Sequence, residues 1–260
     1  MNFIRGSLLV LVSTLLLISF LVLGIFATLN FSLRYENVKP QINSFISEFV
    51  KKEVSQEVIN EQAKILQTSC KTNSNYSFND ETTNYTFVIP CETIAKGTDE
   101  IINKESALLI DEYYYKKYEC GFLECFNEQK SPWFIVSQHA KDFWKKQFYI
   151  IFIVSVLLMS LIYLLMERKN NFTILIGSLL ISGFLPLLAL SGISKFAVSS
   201  FASDFPLDLN SMILIFFGKA INVFWTGFVT GIILIIFGIF LKLLKVGIEV
   251  EEWLEKKGEK

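Results

Sequence analysis

Four long runs of apolar residues limit what this chain can fold into. The first covers residues 7–29, which carry no charge, and as an α-helix it would measure about 35 Å. Later runs cover residues 148–166, 172–190 and 212–244. Because a hydrocarbon core is about 30 Å thick, each run is long enough for one crossing. The pattern predicts an α-helical integral membrane protein with about four transmembrane helices.

The composition supports lipid as the solvent of these runs. Hydrophobic residues make up 52% of the 260 residues, a share that includes 25 phenylalanines. The formal net charge is −1, so there is no basic excess for nucleic acid. We expect the lipid bilayer as a partner, and no nucleic acid.

The runs divide the chain into four segments. Residues 1–31 are predicted to be an N-terminal segment with the first transmembrane helix. The length of its charge-free run favours an uncleaved anchor over a cleaved signal peptide. Residues 32–146 would form an extracytoplasmic domain. Residues 147–245 would hold transmembrane helices 2–4, the last over about residues 221–241. Residues 246–260 would be a cytosolic tail, interpreted as a helix on the inner membrane surface.

Charges near the ends of the runs predict the topology. Five cationic residues fall on one side of a four-span chain: Arg5, Arg168, Lys169, Lys242 and Lys245. Lysine and arginine near span ends favour the cytosol. All four cysteines lie on the other side, and disulfides persist in oxidising compartments. We predict a cell-membrane protein with both termini cytosolic and residues 32–146 extracytoplasmic.

The domain between the first two spans is predicted to be small, mainly helical and stapled by disulfides. Helical spacing of apolar residues covers residues 40–67 and 99–118. Alternation predicts a strand over residues 85–89, and residues 71–83 are predicted to form a loop. Ser131 is the expected N-cap of a helix that could continue into the second span.

Four cysteines allow three disulfide pairings. The favoured pairs are Cys70 with Cys91 and Cys120 with Cys125, and Gly121 could supply the turn that the second pair needs. Such bonds would stabilise a domain with a thin core.

Residues typical of catalysis are sparse. His139 is the only histidine. Ser137 and Asp142 lie near it, but on one helix these three positions diverge around the axis and form no triad. The chain carries no phosphate-binding loop, no H-E-x-x-H and no G-x-S-x-G. We expect no enzymatic activity, no cofactor and no metal site.

Two polar residues interrupt the fourth run. An ionisable residue within a span is a functional candidate, so Lys219 could line an ion path with Asn222 or pair with Asp204 or Asp208. Lys219 also lies near the outer end of the span, where its long stem would let the ammonium reach the interface. Both interpretations stay open.

Three glycines share one face of the fourth run: Gly227, Gly231 and Gly238. Such a face permits close helix packing. It could pack within the bundle, where Ser178 and Ser182 of the third run are the candidate neighbours, or against a second copy of the chain.

Two functions follow as hypotheses. The first is a non-enzymatic multi-pass membrane protein whose extracytoplasmic domain mediates protein–protein interaction or self-assembly, with an unknown protein or a homo-oligomer as partner. Its tyrosine cluster could be a contact surface or ordinary packing: Tyr113, Tyr114, Tyr115 and Tyr118. The alternative is an oligomeric channel or transporter subunit with a path lined by transmembrane helices 3 and 4.

Overall fold

The computed structural model describes residues 2–53, 64–71, 74–80, 85–128, 132–167, 169–196 and 215–258. These residues are mostly helical. Its elements, in chain order, are α1 (Asn2–Ser32), α2 (Tyr35–Glu53), β1 (Asn75–Asp80), β2 (Tyr85–Pro90), α3 (Cys91–Lys96), α4 (Thr98–Tyr115), α5 (Phe122–Glu128), α6 (Gln138–Leu165), α7 (Phe172–Phe196) and α8 (Ala220–Gly258).

Backbone contacts divide the chain into two compact units. Unit 1 comprises Met1–Ser32 with Asp142–Lys260, and unit 2 comprises Leu33–Lys141. Among the described residues, four helices are long and apolar enough to cross a membrane: Phe3–Ser32, Gln138–Leu165, Lys169–Leu190 and Ile215–Leu244. Apart from Gln138–Lys141, they belong to unit 1. The expectation of four such helices is confirmed.

The core of unit 1 is formed mainly by α1, α7 and α8. Leu16 and Phe20 of α1 are buried with Leu187 of α7 and Val223 of α8. Large aliphatic and aromatic side chains fill the space between these helices.

Helix α6 lies along α1 through a few specific contacts. The hydroxyl of Ser155 donates to the Ile151 carbonyl, so the buried Ser19 hydroxyl donates across to the Ser155 oxygen at 2.7 Å. At one end Arg5 Nε donates to the Leu165 carbonyl at 2.6 Å. Arg5, near the start of α1, contacts Leu165 at the end of α6, whereas Ser19, further along α1, contacts the earlier residue Ser155. The two helices are therefore antiparallel.

The last helix is longer than the sequence suggested. Helix α8 has 39 residues and continues from Ala220 to Gly258 without interruption. Residues 246–258 of the predicted tail therefore continue α8 and do not form a separate element, while the location of the tail on the inner membrane surface stays a prediction. No proline follows Ala220, and the glycines within α8 lower its helix propensity without ending the helix.

Unit 2 contains one antiparallel hairpin and several helices. In the hairpin Asn75 pairs with Pro90 and Asp80 with Tyr85. Residues 75–80 were expected to lie in a loop, and this was wrong because their backbone is ordered by the partner strand rather than by their own polar side chains. Ile89 of β2 packs with Ile94 and Ile101 to form the core beside the hairpin.

The helical predictions for unit 2 hold only in part. Helix α4 matches the predicted segment 99–118 closely. Of the predicted segment 40–67, residues 40–53 belong to α2 and residues 64–67 are helical, while residues 54–63 lie outside the described residues.

The chain does not run unbroken from Pro132 into α6. Residues Pro132–Val136 form a 3-10 turn, and Ser137 separates it from α6. Ser137 Oγ accepts the Ala140 N–H at 3.3 Å, which makes Ser137 the N-cap of α6. The predicted cap, Ser131, lies outside the described residues.

Candidate functional site

The glycine face of α8 is covered by α7. A Cβ added to Gly231 would meet the Gly177 carbonyl oxygen at 2.9 Å, and one added to Gly177 would meet the Gly231 carbonyl oxygen at 2.6 Å. Phe184 lies over Gly227, and Thr173 lies over Gly238. The three predicted packing glycines therefore bring the α7 and α8 backbones together within one protomer.

The neighbour of the glycine face differs from the one expected. Ser178 and Ser182 are exposed, and the Ser178 hydroxyl donates to the Ile174 carbonyl of its own helix. The contacting face of α7 carries Gly177, Ile181 and Phe184 instead. Because α7 is apolar all round, its sequence has no polar face to mark which side packs.

The two polar residues of the fourth run do not meet inside the bundle. Lys219 lies just before α8, where its backbone N–H donates to the Ser32 hydroxyl at 3.2 Å. Asn222 is exposed on the side of α8 that faces away from α7. Asp204 and Asp208, the candidate partners of Lys219, lie outside the described residues.

This packing bears on an ion path between α7 and α8. The close approach at Gly177 and Gly231 leaves no room for an ion between these two helices in one protomer. A path lined by both helices would have to lie between protomers and use their outward faces.

The four cysteines form two disulfides in unit 2. Cys70 is joined to Cys91 with their Cα atoms 5.5 Å apart, and Cys120 to Cys125 with 5.4 Å. The first bond joins Cys70, which follows the helical turn at residues 64–69, to Cys91, the first residue of α3 directly after the hairpin. The second closes the turn that begins α5, where the Cys125 N–H also donates to the Gly121 carbonyl at 2.8 Å.

Helix α5 carries two exposed apolar side chains, which we call the α5 tip: Leu123 and Phe126. Leu123 is 69% exposed and Phe126 is 52% exposed. They lie three residues apart and so on one side of the helix. Phe122 anchors the helix by stacking on Phe134, with ring centroids 5.3 Å apart. The sequence analysis missed this surface, although three apolar residues between or beside paired cysteines were a usable signal.

A polar triad joins α2 to α4. Tyr35 donates its hydroxyl to the Asp111 carboxylate, and Lys39 Nζ donates to both the Tyr35 oxygen and Asp111, the latter at 3.1 Å. Burial, and next the hydrogen bond to Asp111, raises the pKa of Tyr35 above 10.0. The hydrogen bond to Tyr35 raises the pKa of Lys39 above 10.5.

Most of the tyrosine cluster serves packing. Tyr114 is 4% exposed and donates its hydroxyl to the Leu33 carbonyl at 2.9 Å. Tyr118 and His139 pack with Phe134, and burial raises the pKa of Tyr118. Tyr115 is the exposed member. His139 thus lies in an aromatic cluster rather than beside a nucleophile.

Unit 2 has a small cleft between α2 and α4. Its wall is apolar and includes Val38, Ile42 and Ile110. Small-molecule sites usually add a few convergent polar groups that orient the ligand, and the lining of this cleft is aliphatic apart from Tyr113 and Tyr114. Within the described ranges, no group of three or more His, Cys, Asp or Glu side chains could hold a metal ion.

In comparisons with protein-family models, curated proteins and solved structures, nothing matched this chain.

Proposed function

We propose that this chain is a non-enzymatic multi-pass membrane protein, and that unit 2 lies outside the cytosol and binds another protein through the α5 tip. The observation that carries the proposal is the exposure of Leu123 and Phe126 on a helix held by a disulfide. A second copy of the chain is the other candidate occupant of this surface.

The α5 tip has two properties of a binding surface. Adjacent exposed apolar side chains gain free energy when a partner removes them from water, at roughly 25 cal/mol per Å² of apolar area. The Cys120–Cys125 bond also fixes the tip before binding, which lowers the entropy lost on association. Phe122 of the same helix stacks on Phe134, so the exposed side chains belong to a helix that is itself packed in place.

The arrangement of charges in unit 1 supports the proposed orientation. Arg5 forms a 3.5 Å ion pair with Glu167, so the start of α1 and the connection from α6 to α7 share one end. Gly238 contacts Thr173 near the start of α7, which brings Lys242 toward the same end. Cationic residues gathered at one end favour a cytosolic location for it.

The channel or transporter alternative has less support. Lys219 lies just before α8, where its backbone N–H donates to Ser32, and α7 and α8 are in direct contact. If conduction does occur, Lys219→Met should abolish it, and ion flux in vesicles measures this directly.

The proposal is tested by site-specific photo-crosslinking of the full chain in its native membrane. A benzophenone amino acid replaces Leu123 in one variant and Ile65 in a matched control, because Ile65 is also apolar and half exposed in unit 2. We expect one discrete adduct at position 123 and little at position 65. Two differently tagged copies show whether the adduct contains a second copy of the chain.

A further pair of variants separates the tip from the fold. Cys120→Ala with Cys125→Ala should abolish the adduct at position 123, since the tip is then no longer fixed. Phe126→Ser should weaken it, whereas Val88→Ser, at an exposed apolar position elsewhere in unit 2, should not. Equal adducts at positions 123 and 65, or none at either, would show that the α5 tip is not a docking surface.

A further inference from the structure

The outward face of α8 carries an unbroken heptad pattern, which we call the α8 seam. Its residues alternate spacings of four and three: Asn222, Thr226, Val229, Ile233, Ile236 and Phe240. All of them are exposed, and the four apolar members are 51–61% exposed. A 4-3 spacing of core residues is the pattern by which two helices pack as a left-handed coiled coil.

The α8 seam is separate from the glycine face. Val229 and Ile236 lie about 160° to 180° around the helix from Gly227, because each residue turns the helix by about 100°. The glycine face is occupied by α7 of the same chain. No described residue packs over the seam, so within these ranges α8 has one face used inside the protomer and one left open.

Because the α8 seam includes the polar residue Asn222, lipid tails alone are a poor environment for it. Asn222 lies about 11 Å from the middle of the candidate span Ile215–Leu244, within the half-thickness of about 15 Å of a hydrocarbon core. A primary amide there needs hydrogen-bond partners that lipid tails cannot provide. The hydroxyls of Thr226 and Thr230 already donate to carbonyls of their own helix, at 2.9 and 2.7 Å, and do not satisfy the amide.

We infer that the α8 seam pairs with the α8 seam of a second copy of this chain, in parallel, around a two-fold axis along the membrane normal. Two copies inserted with the same orientation place each seam residue opposite its own equivalent. An asparagine amide is both donor and acceptor, so Asn222 can bond to the partner's Asn222 and satisfy both groups. In a heptad seam a single polar residue of this kind also fixes the register.

This inference rests on the membrane insertion proposed above, but not on the α5 tip. Membranes are therefore first washed with alkaline carbonate. If the full chain is washed out, insertion itself is wrong and the pairing fails with it. If the chain stays in the membrane, the next measurements test the pairing alone.

The test is cysteine crosslinking in those membranes. All four native cysteines are in disulfides, so one added cysteine is the only free thiol. Copper–phenanthroline oxidation should join two copies at Val229→Cys, Ile233→Cys and Ile236→Cys. Ile232→Cys and Ile239→Cys are exposed controls on the flank of α8, and we expect at most a tenth of the dimer there. Equal crosslinking at seam and flank, or none at the seam, would overturn the inference.

The role of the amide is tested separately in phosphatidylcholine vesicles. Energy transfer between labelled protomers, followed on dilution with lipid, gives the dimer dissociation constant. Asn222→Leu should raise it roughly 3- to 30-fold, the range expected for one interhelical hydrogen bond. Asn222→Gln keeps the amide and should stay within threefold of the native chain. An unchanged constant in Asn222→Leu would show that the amide does not hold the pair together.

Discussion

Gly177 sets how closely α7 and α8 approach one another. A Cβ at this position would lie 2.6 Å from the Gly231 carbonyl oxygen, which belongs to backbone and cannot rotate away. We expect Gly177→Ala to lower the free energy of unfolding by about 1–3 kcal/mol, because the two helices must move apart. Thermal unfolding of the full chain in detergent micelles measures the change.

Gly6→Ala is the matched control for this substitution. Gly6 also lies in a helix that is long enough to cross a membrane, but a Cβ there would meet nothing within 4 Å. Alanine is the better helix former, so stability should stay the same or rise slightly. Similar losses in Gly6→Ala and Gly177→Ala would contradict close packing at Gly177.

The triad of Tyr35, Lys39 and Asp111 predicts a loss of stability at alkaline pH. Both Tyr35 and Lys39 have a pKa raised above the ordinary values of 10.0 and 10.5. The folded state therefore favours the protonated form of each group. The contribution of each group to the free energy of unfolding is fully present below its ordinary pKa and is lost as pH rises through its raised pKa. The melting temperature should fall as pH passes 10.5.

Other tyrosines and lysines also titrate in this range, so a variant isolates the triad. In Tyr35→Phe with Lys39→Met neither proton can be lost, and the melting temperature should depend less on pH above 10. Near-ultraviolet circular dichroism follows unfolding of unit 2 in the full chain. The same alkaline loss in both proteins would show that the triad does not contribute.

Single residues also show where prediction from sequence stops. The glycines of α8 were identifiable as packing residues, because glycine spacing marks a face directly. Their neighbours were not, since Ser178 and Gly177 are adjacent small residues that lie about 100° apart around an apolar helix, one exposed and one packed. Only the contact itself distinguishes the packed side from the exposed one.

Among the helices, α1 and α6 share a buried polar contact. Ser19 donates to Ser155 at 2.7 Å, and most of the apolar surface of α6 is exposed. Ser155→Ala should cost about 1 kcal/mol, a typical value for a hydrogen bond between membrane helices. Ser19→Ala added to Ser155→Ala should cost little more, because both changes remove the same bond. Thermal unfolding of the native chain, the two single variants and the double variant gives the coupling free energy between Ser19 and Ser155.

Ser160→Ala is the control on the same helix. Ser160 is exposed, and its hydroxyl donates only to the Val156 carbonyl one turn earlier. Removing it should leave α6 in place with little change in melting temperature. If Ser160→Ala and Ser155→Ala behave alike, the bond to Ser19 does not hold α6.

The elements of unit 2 were less predictable than those of unit 1. Strand β1 contains mostly polar residues, and its strand character comes from pairing with β2. The start of α6 was misjudged because Ser131 and Ser137 are both plausible caps in sequence. Ser137 bonds both ways, accepting from the Ala140 N–H and donating to the Phe134 carbonyl at 2.6 Å, while Ser131 lies outside the described residues.

For the whole molecule, the proposed topology predicts which side each segment faces. Ser77→Cys, exposed on β1, should react with a membrane-impermeant maleimide on intact cells. Lys169→Cys, exposed beside α7, should react only after the membrane is opened. The fraction of chain labelled, measured by mass shift, distinguishes them. Labelling of both on intact cells, or of Lys169→Cys alone, would reverse or exclude the orientation.

The number of long apolar helices was the most secure prediction at this scale. Lipid requires every backbone group to be bonded internally, so a charge-free run of about 20 residues has few alternatives to a helix. The division into two compact units could not be deduced in the same way. It depends on contacts between α1 and residues more than 100 positions later, such as Ser19 with Ser155.

The unbroken length of α8 has a mechanical consequence. At 39 residues, α8 is about 58 Å long, almost twice the thickness of a hydrocarbon core. A helix without a break resists twisting, so part of a rotation imposed on one end of α8 is transmitted to the other. A partner that binds the end near Gly258 and rotates it therefore also rotates the face that carries Asn222, at the opposite end of α8.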